Sequence, residues 1–414
     1  MAATRNWLDF LKLRIGWGIS GNDRIGNYNI FSTYAASQFN AGYGIDGGRH
    51  ARIGFMPTEL GNPDVTWETT ETQNFGVDAT MLNGSTTFSF DLWQRYTSDM
   101  LYRLRMPATY GGATPPFMNI GEMKNTGFDF ELGYNNTALD GRFRYRISAN
   151  ISRYVNEIVR LSPDVEEEII FPEIRQQYYT RASAGTSFPE FYGYIVDGIF
   201  QNQQEADAHP TAFGEAGTYN RPGRYIFRDL NGDGIITEAD RTYIGNPHPD
   251  FTGGLNIDLQ YNNIGLNMFF YGSYGNDMIN QTLHYINYGL HESNLSKDVL
   301  YRSWGSPYLE NNENAVLPIF DRNEQTPVPS TARVEDGSFL RFQNLRVTYS
   351  IPQNLLTRMQ MQNIIVYGQI TNLFTLTNYS GLDPDLHHRG GQMGVDEGAW
   401  PTPRSLMIGI TLDF

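Results

Sequence analysis

The chain of 414 residues contains no cysteine. That absence removes disulfides, thiolate metal sites and cysteine nucleophiles together. It also has no run of about 18 apolar residues, so no transmembrane helix is expected. Charged residues make up only 18%, and they are unbalanced: 30 Lys and Arg face 45 Asp and Glu, a net charge of −15. No basic stripe is available to release counterions from phosphates, which argues against a nucleic-acid partner. Acidic loops that hold divalent cations are the better use of such a charge. No signal peptide opens the sequence, since Met1-Ala-Ala-Thr-Arg-Asn-Trp7 leads straight into strand-like residues. For an exported protein this reads as a mature or truncated chain. The seven histidines show no HExxH spacing, no GxSxG elbow exists, and nothing nominates a base oriented for a nucleophile. No catalytic residue is assigned, and no enzyme is expected.

Aromatics and glycine are abundant instead: 26 Tyr, 25 Phe and 6 Trp, with 42 Gly. Such usage favours strands joined by Gly/Asn/Asp turns over helices. The alternation is explicit. Leu11, Leu13, Ile15, Trp17 and Ile19 interleave with Lys12, Arg14, Gly16, Gly18 and Ser20. At the other end Leu406, Ile408, Ile410, Leu412 and Phe414 interleave with Ser405, Met407, Gly409, Thr411 and Asp413. Side chains alternate across a strand, so each segment carries one apolar and one polar face. Between them, Phe75, Val77, Ala79 and Met81 precede Asn83-Gly84, which predicts a type I′ hairpin turn to Phe88, Phe90 and Leu92. Phe128, Phe130, Leu132 and Tyr134 are set against Asp129, Glu131 and Gly133; Phe143 to Ile151 are set against Arg144, Arg146, Ser148, Asn150 and Ser152. A face of that polarity needs water.

Two short strands are placed at about 179–187 and 190–200, a polar insert at about 201–250, and a strand stop at Pro352. The count reaches about twelve strands, with long connections on one side and short ones on the other. The expected fold is therefore all-β: an antiparallel transmembrane β-barrel with long extracellular loops and short periplasmic turns, both chain ends lying on the short-turn side.

One local motif points to a metal. In Asp229-Leu-Asn-Gly-Asp-Gly-Ile-Ile-Thr-Glu-Ala-Asp240, oxygen ligands fall at loop positions 1, 3 and 5 (Asp229, Asn231, Asp233). Gly234 supplies the turn at 6, the Ile235 carbonyl stands at 7, Thr237 at 9 and Asp240 at 12. This is the EF-hand schedule for Ca²⁺, with Asp in place of the bidentate Glu; a turn that binds nothing has the same composition. No flanking helix pair is expected, so the ion would be structural. Gly42-Tyr-Gly-Ile-Asp-Gly47 matches a dinucleotide fingerprint on paper but lacks a strand before and a helix after it. His387-His388-Arg389 reads as a solvated loop, and Asp383 with Asp385 as loop carboxylates. Tyr102, Tyr110, Phe117, Tyr285 and Tyr288 would either stack on sugars or peptides or cap the loops.

Several stretches together resemble the SusC/RagA family of TonB-dependent outer-membrane transporters. They are Asn62-Pro-Asp-Val-Thr-Trp-Glu-Thr-Thr-Glu71, Phe191-Tyr-Gly-Tyr-Ile-Val-Asp-Gly-Ile-Phe200 and the 229–241 stretch. Val334-Glu-Asp-Gly-Ser-Phe-Leu-Arg-Phe-Gln-Asn-Leu345, Gly368-Gln-Ile-Thr-Asn-Leu-Phe-Thr375 and Tyr379-Ser-Gly-Leu-Asp-Pro384 continue the series in the family's order. The resemblance implies an importer of oligosaccharides or peptides in the bacterial outer membrane, working beneath a SusD-like surface lipoprotein and powered by TonB through an N-terminal plug. Residues 1–414 match the C-terminal portion of such a barrel, of the 22-strand class, without the plug. Alone, its two edge strands would leave backbone groups unpaired in lipid, and an incomplete or aggregation-prone piece is expected. The alternative from another class is a soluble, secreted calcium-binding β-protein that binds glycans.

Overall fold

The computed structural model describes the chain apart from residues 1–6, 27, 38–40, 46, 48–49, 104–111, 163–167, 171–176, 215–218, 289–293, 322–327, 387–391 and 414. Ten strands form one sheet in plain chain order. They are β1 (Leu8–Asn22), β2 (Glu68–Met81), β3 (Thr86–Ser98), β4 (Gly121–Ala138) and β5 (Phe143–Leu161). The second half is β6 (Phe251–Tyr261), β7 (Ile264–Tyr274), β8 (Phe339–Ser350), β9 (Asn363–Thr377) and β10 (Ser405–Asp413). Every neighbouring pair is antiparallel.

The short connections all lie at one end. Leu82, Asn83 and Gly84 take φ of 55°, 58° and 79°, and Leu139, Asp140 and Gly141 repeat the pattern at 55°, 54° and 86°. In each trio the second and third left-handed positions carry the residue types that adopt them most readily, Asn83-Gly84 and Asp140-Gly141, after a leucine at the first. Asn83-Gly84 thus sits within a four-residue connection, tightened by the Ser85 hydroxyl donating to the Leu82 carbonyl at 2.8 Å, rather than forming a two-residue type I′ turn. Both chain ends are on this side, as expected. Leu82 N–H donates to Trp7 O at 2.8 Å, and Gln362 N–H to Asp413 O at 2.9 Å. Pro352 ends β8 and caps a one-to-two-turn helix, Gln353–Met359, before β9.

The wall strands present their apolar parity outward, with Ile15 85% and Ile408 77% exposed. Surface of that kind is stable only against lipid. Aromatic pairs tie neighbours together on this face, including Phe88–Phe130 and Phe270–Phe342, with ring centroids 5.6 and 4.3 Å apart. The opposite parity forms a polar concave face.

Among the described residues the wall has ten strands rather than twelve. Thr180–Ser183 and Glu190–Gly193 do not join the wall; they pair with Glu168–Ile170 and Thr242–Gly245 in a separate four-stranded sheet. A four-residue strand spans about 13 Å, half of an apolar band of about 25 Å. Their apolar residues are buried in two separate cores instead, Ala182 with Met100, Ile120 and Ile158, and Phe191 with Tyr179, Ile279 and Val395. Residues 159–161 complete β5.

The segments between wall strands at the other end pack into a second layer with its own cores. Tyr194, Ile199, Ala212, Tyr225, Phe227, Ile236 and Tyr288 form one cluster, and Tyr179, Phe191, Ile279 and Val395 another. The 201–250 insert therefore contributes core residues and is not a polar loop alone. A third cluster, Met100, Ile120, Ile158 and Ala182, joins this layer to the tops of β4 and β5.

Candidate functional site: the concave face and the outer layer

Cross-strand register determines which polar residues meet on the concave face. Arg14, Gly76, Asp91, Asp129 and Ser152 lie in one row across β1 to β5, and Lys12, Asp78, Ser89, Glu131 and Asn150 in the next. Arg14 forks between two carboxylates: its Nε and Nη2 donate to Asp78, and its Nη1 and Nη2 to Asp91, all at 2.8 Å. Asp129 accepts from Trp93 Nε1 at 2.9 Å. Bidentate geometry of this kind combines charge with fixed direction.

On the other half, Arg146, Asp258, Asn267, Arg346 and Gln369 share a row across β5 to β9; Arg144, Gln260, Gly265, Thr348 and Tyr367 share its neighbour. Amides carry the ladder here. Asn267 Nδ2 donates to Asn256 Oδ1 at 3.0 Å and Asp258 Oδ1 at 2.6 Å, Asn344 Nδ2 donates to Asn267 Oδ1 at 2.9 Å, and Gln369 Nε2 to Asn344 Oδ1 at 2.8 Å. Asp258, Asn267, Asn344 and Gln369 border a cavity of about 720 Å³ that Asn135, Arg144, Arg146 and Arg346 also line. The small polar face of β10 has a steric cause. A Cβ at Gly409 would stand 2.4 Å from Tyr367 Cζ, so the phenol occupies the space that a side chain there would need.

In the outer layer the 229–240 loop closes on itself. Asp229 accepts from Gly232 and Gly234 N–H at 2.7 and 3.0 Å, Asn231 Oδ1 from Asp233 N–H at 2.9 Å, and Asp233 Oδ1 from Ile235 N–H at 2.9 Å. Asp240, with no exposed surface, accepts from Leu230 and Thr237 N–H at 3.0 and 2.7 Å and so pegs the loop's two ends together. Thr237 caps the 3-10 turn Glu238–Asp240. Among the described residues, no group of three or more His, Asp or Glu gathers at metal-binding geometry.

Other residues singled out in the sequence take structural positions. Asp383 and Asp385 both receive Arg341, which reaches from β8: Nη2 to Asp383, Nη1 to Asp385 at 3.0 Å, and Nε to Thr375 Oγ1 at 3.0 Å. Arg341 and Asp383 are nearly buried. Burial raises the Asp383 carboxyl's pKa, but N–H donors from Asp385 and Thr402 and the Arg341 charge outweigh it and hold the value below the usual range. Tyr102 packs edge-on to Phe188, Phe117 lies under Arg103, and the Tyr288 and Tyr225 hydroxyls are 3.2 Å apart. Those three brace the layer, and Tyr285 stands edge-on to His284. Tyr43–Ile45 pairs with His50–Arg52 as a hairpin, so no helix follows the glycine-rich stretch and no dinucleotide site forms. Tyr110, Phe414 and His387-His388-Arg389 lie outside the described residues.

Residues that sequence reasoning did not single out include Arg333, 1% exposed, which donates to the Tyr179 hydroxyl, Gln281 Oε1 and the Val328 carbonyl at 2.9 Å each. His248 is another, held between the Tyr154 hydroxyl at 3.0 Å and the Phe188 carbonyl at 3.1 Å. Burial pushes its imidazole pKa below the ordinary value. No local pattern marks either residue, because their partners lie far away in sequence.

A ten-stranded wall with lipid outside and hydrogen-bonded polar rows inside matches proteins of known kind over nearly its whole length. The TonB-dependent receptor P3 of Formosa agariphila is 30% identical over 99% of this chain and 40% of its own length. TonB-dependent receptor SusC of Bacteroides thetaiotaomicron is 26% identical over 99% of the chain and 38% of its own. Among solved structures, the RagAB peptide transporter superposes with a TM-score of 0.79 at 27% identity, covering 99% of this chain and 41% of that one. Over nearly all of its length the chain is similar to the TonB-dependent receptors and transporters of the SusC/RagA kind. It spans about two fifths of the length of these relatives. No protein-family model matches it. The family's members are outer-membrane proteins, and the wall fits that location. Each of these relatives is named as a receptor or transporter rather than an enzyme.

Proposed function

We propose that this chain forms wall and outer loops in the C-terminal portion of an outer-membrane nutrient importer. The observation that carries the reading is the division of each wall strand into a lipid-facing parity and a hydrated, hydrogen-bonded parity, on a chain related to TonB-dependent receptors throughout. Import would draw on TonB through a plug elsewhere in the full protein, beneath a SusD-like lipoprotein resting on the outer layer. Among oligosaccharides and peptides, peptide is favoured by the RagAB peptide importer structures, 26–27% identical to this chain. The test is uptake of labelled peptide and oligosaccharide pools by cells with the full gene deleted, then restored. Restored peptide uptake is expected. Release of the protein from membranes by carbonate without detergent would overturn the reading in favour of a soluble glycan-binding protein.

We also propose structural Ca²⁺ at the 229–240 loop. Asn231 Oδ1 accepts one loop N–H, Asp233 accepts one N–H and the Asn231 amide, and each Asp229 oxygen accepts one N–H, which leaves one lone pair on each of these oxygens, near in sequence to the Ile235 carbonyl and the Thr237 hydroxyl. Asp240 would share its bound N–H groups or act only as the peg. Chelation by EGTA is expected to lower the Tm of the full protein. Purified protein free of stoichiometric calcium would end this proposal.

A further inference from the structure

The two halves of the concave face handle charge differently. On β1 to β4, Arg14 is clamped between Asp78 and Asp91. On β5 to β8, Arg144, Arg146 and Arg346 line one cavity, and among the described residues none of the three takes part in an ion pair. The carboxylate across from Arg146 is Asp258, which is committed to amides: Asn256 and Asn267 each donate to it at 2.6 Å. Arg346 stacks on the Tyr367 ring at 4.2 Å, which fixes its plane, and its Nε is buried with no acceptor. A buried guanidinium donor without a partner is unfavourable unless something arrives to accept from it. Its fork of donors matches a carboxylate better than any neutral group. In a chain of net charge −15, three arginines without an ion pair around one cavity, two exposed and one with a buried Nε, are a local concentration of positive charge.

We propose that Arg144, Arg146 and Arg346 form a carboxylate-binding site, and that its occupant is an acidic peptide segment. The cavity of about 720 Å³ lies within the usual range for ligand sites. The carboxylates come either from a peptide ligand or from acidic side chains elsewhere in the same full-length protein. This inference rests on reading the concave face as a hydrated lumen. Carbonate extraction tests that reading by itself, so the two can fail separately.

The experiment uses the purified full-length protein in detergent. Tetraglutamate and tetraglutamine are titrated calorimetrically into wild type, a triple Arg→Gln variant at 144, 146 and 346, and the matching triple Arg→Lys variant. Melting curves are recorded at about 50 mM and about 0.5 M salt, since screening weakens charge pairing across that range. If the site serves a ligand, tetraglutamate binds wild type, the Gln variant loses roughly tenfold or more in affinity, and the Lys variant keeps most of it. Tetraglutamine is unaffected throughout. If the carboxylates are the protein's own, wild type ignores tetraglutamate, the Gln variant melts lower at low salt only, and the Lys variant recovers. The proposal is overturned if the Gln variant changes neither binding nor melting, or if its melting loss is insensitive to salt and not restored by lysine.

Discussion

The wall and the outer layer solve burial in opposite ways. Wall strands keep large apolar side chains on the outside, as at Ile15 and Ile408, and exchange hydrogen bonds between amides and charges on the inside. The outer layer does the reverse, enclosing Phe191, Ile236 and Val395 and surrounding buried charge with dense pairing, at its own Arg333 and at Arg341, which enters from β8. One chain thus folds against two solvents. The wall borrows lipid to complete its apolar contacts, whereas the outer layer must supply its own core.

The contrast can be broken most severely at Arg341. Arg341→Ala leaves Asp383 and Asp385 without their cation in a nearly buried setting, and a loss of about 3–5 kcal/mol is expected from breaking such a pair. Limited proteolysis should open the 378–404 segment while the wall stays resistant; equal resistance in mutant and wild type would show that the clamp holds nothing. Next in size is the wall's own weakness. Ile257→Arg places a cation on the lipid-facing parity at the middle of β6, at a cost of about 2–4 kcal/mol. Folding yield into vesicles should drop for this variant and remain near normal for Asp258→Asn, one residue away on the lumen parity.

Acid should separate the layers as well. The Asp383 carboxyl's pKa is held low in the folded protein, so its stabilisation is present above the unfolded carboxylate pKa of about 3.9 and disappears as pH falls through the lower folded value. Hydrogen exchange in 378–404 is expected to rise below about pH 4, and Arg341→Ala should abolish most of that dependence. The smallest effect is expected at Asn267→Ala, which deletes contacts with Asn256, Asp258 and Asn344 in a hydrated face. Water can replace them, and a stability loss of about 1 kcal/mol is expected, read as a small fall in the Tm of the full protein. A larger loss would mean that the concave face is drier than its polarity suggests.

Much of the wall was legible because alternation is local. Leu11 to Ile19 and Leu406 to Leu412 declare their faces without reference to any other residue, and both were assigned correctly. The strands near 179–200 were harder. Tyr179, Phe191 and Ile199 are as apolar as wall residues, and only their burial in the outer layer distinguishes them from lipid-facing positions. Of the residues put forward for sites, Asp229, Asn231, Asp233 and Asp240 are engaged by hydrogen bonds within their own loop. Asp383 and Asp385 gained their role only when Arg341, about forty residues upstream, reached them.

What the sequence determined by itself was parity, turn chemistry and the division into long and short connections. Side-chain alternation and positive-φ residues are properties of a few adjacent positions. Tertiary structure alone decided that Arg14 would be neutralised by Asp78 and Asp91 while Arg146, with Asp258 opposite, would not be. Register sets both outcomes. It arises from turn geometry and packing summed along whole strands, so a shift of two residues would keep every face and exchange every partner.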